Sequence, residues 1–108
     1  MTLLEQFQET VKTLKKETPA QTGAFMEFMG KVESGGVLPP KEQRLILVAV
    51  AVALQCDSCI AVHVAHAVKA GATREEIIAA GWLAVVMGGG PKLTYMKYVL
   101  AELANNGL

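Results

Sequence analysis

The sequence carries no excess of either charge. Ten Lys and Arg balance ten Asp and Glu over 108 residues, for a formal net charge of +0. Without a clustered basic face there is no electrostatic footprint for DNA or RNA. Without a run of like charge there is no interaction tail. Long apolar runs are missing as well. The longest, Leu45–Leu54, has ten residues, against the ~20 a helix needs to span a bilayer. The first residues, MTLLEQFQETVKTLKKE, mix charges of both signs and lack the apolar segment of a signal peptide. These absences lead us to expect a cytoplasmic protein with no nucleic-acid or membrane partner. Strand-like alternation, Asn-Gly turns, repeats and low-complexity segments are also absent, so nothing signals a β-sheet. Cysteine is scarce, with two residues in the chain. In a reducing compartment such a pair serves catalysis or metal binding rather than a structural staple.

What the chain does have is apolar side chain, 52% of its residues. Its length suits a single domain, 1–108. A domain this small has too much surface to hide so much apolar material internally. The excess predicts burial between subunits, in a homotrimer or homohexamer. The dominant period is helical. Leu3, Leu4, Phe7, Val11 and Leu14 recur at three- and four-residue steps, and Pro19 ends that helix. A second helix is expected over 21–32, followed by the loop SGGVLPP. A third opens at Pro40 and carries the apolar run. A fourth begins inside the cysteine pair, with Asp57 and Ser58 as its N-cap residues, and stops at Gly71. A fifth begins at Thr73, whose spacing to Glu76 matches a capping box. A sixth opens at Pro91. The fold class is all-α, with about six helices.

The stretch QCDSCIAVHVAHAVKAGAT, residues 55–73, holds both cysteines and both histidines. At ~100° per residue, Cys56, Cys59, His63 and His66 project from one helix face. One metal ion cannot touch all four, because ten residues of helix rise ~15 Å and zinc–ligand distances are ~2.0–2.3 Å. A three-ligand site of Cys56, Cys59 and His63 is conceivable, although tetrahedral sites normally draw on two chain segments. His66 taken alone reads as a core histidine. The trio reads better as a redox dithiol. Cysteines at C-x-x-C spacing across a helix start can close a disulfide with little rearrangement. The helix N-terminus favours thiolate. His63, one turn beyond Cys59, is placed to exchange a proton with its sulfur. Thioredoxin-like proteins share the C-x-x-C but need a βαβ context, and none is visible.

The combination of C-x-x-C-x-x-x-H after a long apolar helix, H-x-x-x-A-x-x-A-G-A-T-x-E-E-I and MGGGP resembles the carboxymuconolactone decarboxylase family, and within it the AhpD-like alkylhydroperoxidase branch. The match covers roughly residues 38–98. The decarboxylases that name the family typically lack the cysteine pair. The resemblance implies an all-helical fold that assembles as trimers or hexamers. It also implies that Cys59 is the nucleophile, Cys56 the resolving partner and His63 part of a proton relay. No cofactor or metal is implied. Regeneration would fall to an external dithiol, lipoylated or thioredoxin-like. One departure stands out. The family's relay glutamate falls twelve residues before the first cysteine, and that position is Arg44. Glu42 lies two residues away, on a different helix face, and a second acidic slot of the family is Ala79. Glu42, Glu75 and Glu76 are the acids that could substitute.

The resulting expectation is a thiol–disulfide oxidoreductase acting on a hydroperoxide or a protein disulfide. Its catalytic residues are Cys59, Cys56 and His63, with His66, Arg44 and Glu42 in support. Two alternatives stay open: a redox sensor or interaction protein with weak turnover, and a decarboxylase-type enzyme with His63 or His66 as base.

Overall fold

Every regular element of the computed structural model, which describes residues 1–108, is an α-helix. The six helices are α1 (Leu3–Glu17), α2 (Pro19–Glu33), α3 (Pro40–Ala53), α4 (Asp57–Lys69), α5 (Arg74–Gly88) and α6 (Gly90–Asn105). The chain divides into two compact units, Met1–Pro39 and Pro40–Leu108.

The first unit is the pair α1 and α2. Thr2 opens α1 with a reciprocal capping box. Its hydroxyl accepts the Glu5 amide at 3.1 Å, and Glu5 Oε1 accepts the Thr2 amide at 3.0 Å. At the other end, the Leu14 carbonyl accepts three donors: the Thr18 amide at 2.8 Å and the Thr18 and Thr22 hydroxyls at 3.0 Å each. That clasp turns the chain within one residue. Pro19 sits in the first turn of α2, where its missing N–H costs nothing. The helix therefore starts two residues before the expected 21. No residue of either helix is buried, and Phe25 and Phe28 are 58% and 63% exposed.

The second unit holds the core. α3 packs on α4 and on α5, and α6 packs on the same two. The result is two helical hairpins, α3–α4 and α5–α6, set side by side. Val48 and Val52 of α3, Ile60 and Val64 of α4, Ile77 of α5, and Val99 and Leu103 of α6 are fully buried between them. Gly81 allows the close approach of α6 to α5, because a Cβ there would come within 2.6 Å of Met96 Sδ. Thr73 caps α5 as expected, its hydroxyl accepting the Glu76 amide at 3.1 Å while Glu76 Oε1 accepts the Thr73 amide at 2.9 Å.

Three of these helices end in the same way. After α4 the Gly71 amide donates to the Val68 carbonyl and the Ala72 amide reaches back to Ala67. After α6 the Gly107 and Leu108 amides do the same with Ala104 and Leu103. After α3 the Gln55 amide donates to Val52 and the Cys56 amide to Ala51. This is the Schellman arrangement, whose penultimate residue must take a left-handed conformation. Gly71 and Gly107 adopt it freely, at φ +92 and +79. Gln55, at φ +54, is the one non-glycine residue with positive φ in the chain, a conformation that costs a side-chain-bearing residue roughly 1–2 kcal/mol.

Candidate functional site

The first helical residue of α4 is Asp57, so Cys56 lies just outside the helix as its N-cap. This corrects two expectations. Neither Asp57 nor Ser58 caps the helix, and Cys56, though its sulfur meets that of Cys59, stands one residue outside the helix rather than on it. The reason is chemical. The Cys56 sulfur accepts the Cys59 amide at 3.2 Å, which supplies the cap bond that an oxygen usually makes. The Asp57 carboxylate is turned instead onto the Ser58 amide, at 2.6 Å. Cys56 thus completes the ending of α3 with its amide and opens α4 with its sulfur.

Cys56 and Cys59 are joined as a disulfide, with their Cα atoms 5.2 Å apart. Both are half-buried, and Cys59 packs against the hydrophobic core. One turn on, His63 is half-buried with its Nδ1 shut off from solvent. The His66 ring stands edge-on to the His63 ring, centroids 6.2 Å apart. His66 is exposed and lines a pocket with Pro40, Arg44, Lys69 and Ala70. The packing of α3 on α4 therefore brings Arg44 to His66, which no spacing along the chain predicts.

The acidic residues are placed elsewhere. Glu42 is exposed in the first turn of α3. Glu75 is exposed in the first turn of α5. Glu76 pairs with Lys41 at 3.0 Å. The Thr73 amide, reinforced by the Lys41 ammonium, holds the Glu76 carboxyl below the usual carboxylate range. Ala79, at the family's second acidic position, lines an apolar groove between α3 and α5 with Leu45, Ile46, Val50 and Leu83. No three His, Cys, Asp or Glu side chains converge as a metal site requires.

Sequence reasoning passed over three residues. Glu102 is a buried carboxylate near the end of α6, its oxygens accepting from Asn106 at 2.8 Å and Asn105 at 3.4 Å. Its position on the otherwise apolar inner face of α6, with Met96, Val99 and Leu103, was the available signal. The other two are Gln55 and Lys92. Lys92, in the first turn of α6, donates to Gln55 Oε1 at 2.6 Å. Nothing in the sequence pairs residues 37 apart.

Comparison with known proteins finds relatives that cover most of the chain. A protein of Cupriavidus necator, itself uncharacterised, is 34% identical over 100 residues, covering 93% of this chain and 88% of its own. An uncharacterised protein from the cox locus of Paracoccus denitrificans is 39% identical over 80 residues, covering 74% of this chain and 72% of its own. Among solved structures, the apo form of a carboxymuconolactone decarboxylase family protein from Legionella pneumophila superposes with a TM-score of 0.89. It has 34% identity and covers 95% of this chain and 92% of its own. A Thermotoga maritima protein of the same family, for which an involvement in antioxidative response has been suggested, superposes with a TM-score of 0.81 at 27% identity. It covers 95% of this chain and 87% of its own. The carboxymuconolactone decarboxylase family model matches residues 19–102, a span that holds the cysteine pair, both histidines and the glycine-rich turn. With that match, a fold that superposes on two solved members and a C-x-x-C pair of the AhpD-like kind, the chain belongs to the carboxymuconolactone decarboxylase family.

Proposed function

We propose that the protein is a thiol–disulfide oxidoreductase of the alkylhydroperoxidase type, with Cys59 as the attacked and attacking sulfur. The carrying observation is the division of labour at the start of α4. Cys56 sits where a thiolate is stabilised by the helix N-terminus and the Cys59 amide. Cys59 sits on the core, one turn from His63.

In the oxidative half, the Cys59 thiolate attacks the terminal oxygen of a hydroperoxide. The O–O bond breaks, the alkoxide takes a proton by way of His63 and leaves as alcohol, and Cys59 becomes a sulfenic acid. The Cys56 thiolate then attacks the Cys59 sulfur. Its S–O bond breaks, and hydroxide leaves as water after gaining a proton. In the reductive half, a thiolate of an external dithiol attacks Cys59. Cys56 departs as the capped thiolate, and the second thiol of the reductant releases Cys59, so that two electrons and two protons enter. A protein disulfide as oxidant reaches the same state through a mixed disulfide on Cys59. A lipoylated or thioredoxin-like protein is the fitting reductant. The antioxidative role suggested for the Thermotoga relative supports this reading. Arg44 in the relay position favours slow turnover, and hence a redox sensor as the second reading.

A sulfenic-acid probe tests the assignment. It is expected to label Cys59 in Cys56→Ser protein exposed to peroxide. Labelling confined to Cys56 in the Cys59→Ser protein reverses the roles. Loss of thiols without turnover when a dithiol is supplied makes the pair a sensor.

The proposal extends to assembly. Trp82, Leu83, Val86 and Met87 of α5 are 49%, 65%, 77% and 88% exposed, and Ile46 and Val50 of α3 are 48% and 45% exposed. An apolar surface of this extent fits burial between copies of the chain, three or six of them, in a cytoplasmic homo-oligomer.

A further inference from the structure

We propose that Lys92 is a positioning residue for the cysteine pair, acting through Gln55 to set how firmly the disulfide is held. The inference rests on the redox reading above and names a part of the site that lies outside the C-x-x-C-x-x-x-H segment. Gln55 is the residue before Cys56 and is held left-handed where the other two such helix endings use glycine. Its side-chain oxygen accepts from the Lys92 ammonium at 2.6 Å. The contact joins the tip of the α3–α4 hairpin, which carries the cysteines, to the tip of the α5–α6 hairpin. The glycine-rich turn serves it too. A Cβ on Gly88 would overlap the stem of Lys92, so the glycine leaves the lysine its path.

The consequence differs between the two redox states. In the disulfide, the S–S bond itself keeps Cys56 beside Cys59. In the dithiol no covalent bond does so. Cys56 then stays at the N-cap only while Gln55 stays left-handed. A side-chain-bearing residue leaves that conformation readily unless something holds it. The Gln55 and Cys56 amides, bonded to Val52 and Ala51, hold it in part, and Lys92 adds to that hold, so the dithiol is preorganised to close. Without Lys92 the dithiol gains freedom that the disulfide cannot, and the balance moves toward the dithiol.

The test is the equilibrium of the full-length protein with reduced and oxidised glutathione, read by thiol counting and independent of any peroxidase assay. Lys92→Met is expected to shift the dithiol–disulfide equilibrium toward the dithiol by about fivefold, the weight of one exposed hydrogen bond. Lys92→Arg, which retains a donor, should stay near wild type. Gly88→Ala, which crowds the lysine stem without touching its charge, should shift the equilibrium in the same direction as Lys92→Met. In a Gln55→Gly background, where glycine adopts the left-handed conformation unaided, Lys92→Met should have no effect. Circular dichroism on each variant separates unfolding from a redox effect, and Gly88→Ala carries the test if Lys92→Met does not fold. An unchanged equilibrium in folded Lys92→Met, or an equal shift in the Gln55→Gly background, overturns the role of Lys92. A wild-type pair that does not exchange with glutathione overturns the redox reading itself.

Discussion

At the scale of single residues, the site is defined by substitutions of one functional group for another. A sulfur does the work of a capping oxygen at Cys56, and a guanidinium stands at Arg44, where the proposed relay would want an acid. Arg44 shares a pocket with His66, whose ring faces His63. A cation in that row favours thiolate over thiol, yet it cannot accept a proton. The protein should therefore present a reactive sulfur while handling protons poorly. Arg44→Glu is expected to raise turnover with a hydroperoxide and to raise the thiol pKa of the reduced protein at the same time. Stopped-flow peroxide kinetics and thiol titration on one sample measure both. If neither moves, position 44 has no part in the chemistry. The C-x-x-C-x-x-x-H pattern was legible from spacing alone because it is local. The nearness of Arg44 to His66 and of Lys92 to Gln55 was not, because each depends on how two helices dock.

At the scale of helices, caps and breakers carried most of the information. Pro19, Pro40, Gly71, and the Thr73–Glu76 pair mark boundaries that the structure reproduces closely. The reading missed at α4 because cap preferences favour Asp and Ser over a sulfur. It gave no special role to Gln55, because glutamine carries no left-handed signal. The capping box of α5 has measurable weight. Thr73→Ala removes the acceptor of the Glu76 amide and should lower stability by about 1 kcal/mol in urea titration. The same box makes stability depend on acid. The folded carboxyl of Glu76 is held below its ordinary value, by the Thr73 amide first and Lys41 second. Its contribution is therefore complete above the unfolded pKa of about 4.3 and is lost as pH falls through the lower, folded value. Glu5 behaves alike through the Thr2 amide. Thermal melts of Glu76→Gln should start lower at pH 7 and fall less steeply below pH 5 than those of the wild type. Parallel acid limbs in the two proteins would show that Glu76 contributes nothing to acid sensitivity.

At the scale of the whole chain, apolar composition was the most informative number. A core of Val, Ile, Ala and Leu fills the space between α3 and α6, yet many large apolar side chains stay outside it. Light scattering at micromolar concentration is expected to give a mass of three or six chains, and a stable monomer would overturn the proposed assembly. Leu83→Lys, on the exposed face of α5, should shift the wild-type assembly toward smaller species without reducing helicity.

The two-hairpin construction also separates what is local in the chain from what is distant. The disulfide spans three residues at the tip of the first hairpin, so the cysteines can pair as soon as that segment exists. No third cysteine is present to divert them. The Lys92–Gln55 contact spans 37 residues and forms only when the second hairpin docks, a step that must first meet the entropy of closing a long loop. A nascent or unfolded chain can therefore be oxidised before the Lys92–Gln55 contact exists. If Lys92 sets the hold on the pair as proposed, that hold is a property of the folded protein alone and vanishes with the packing of its second hairpin.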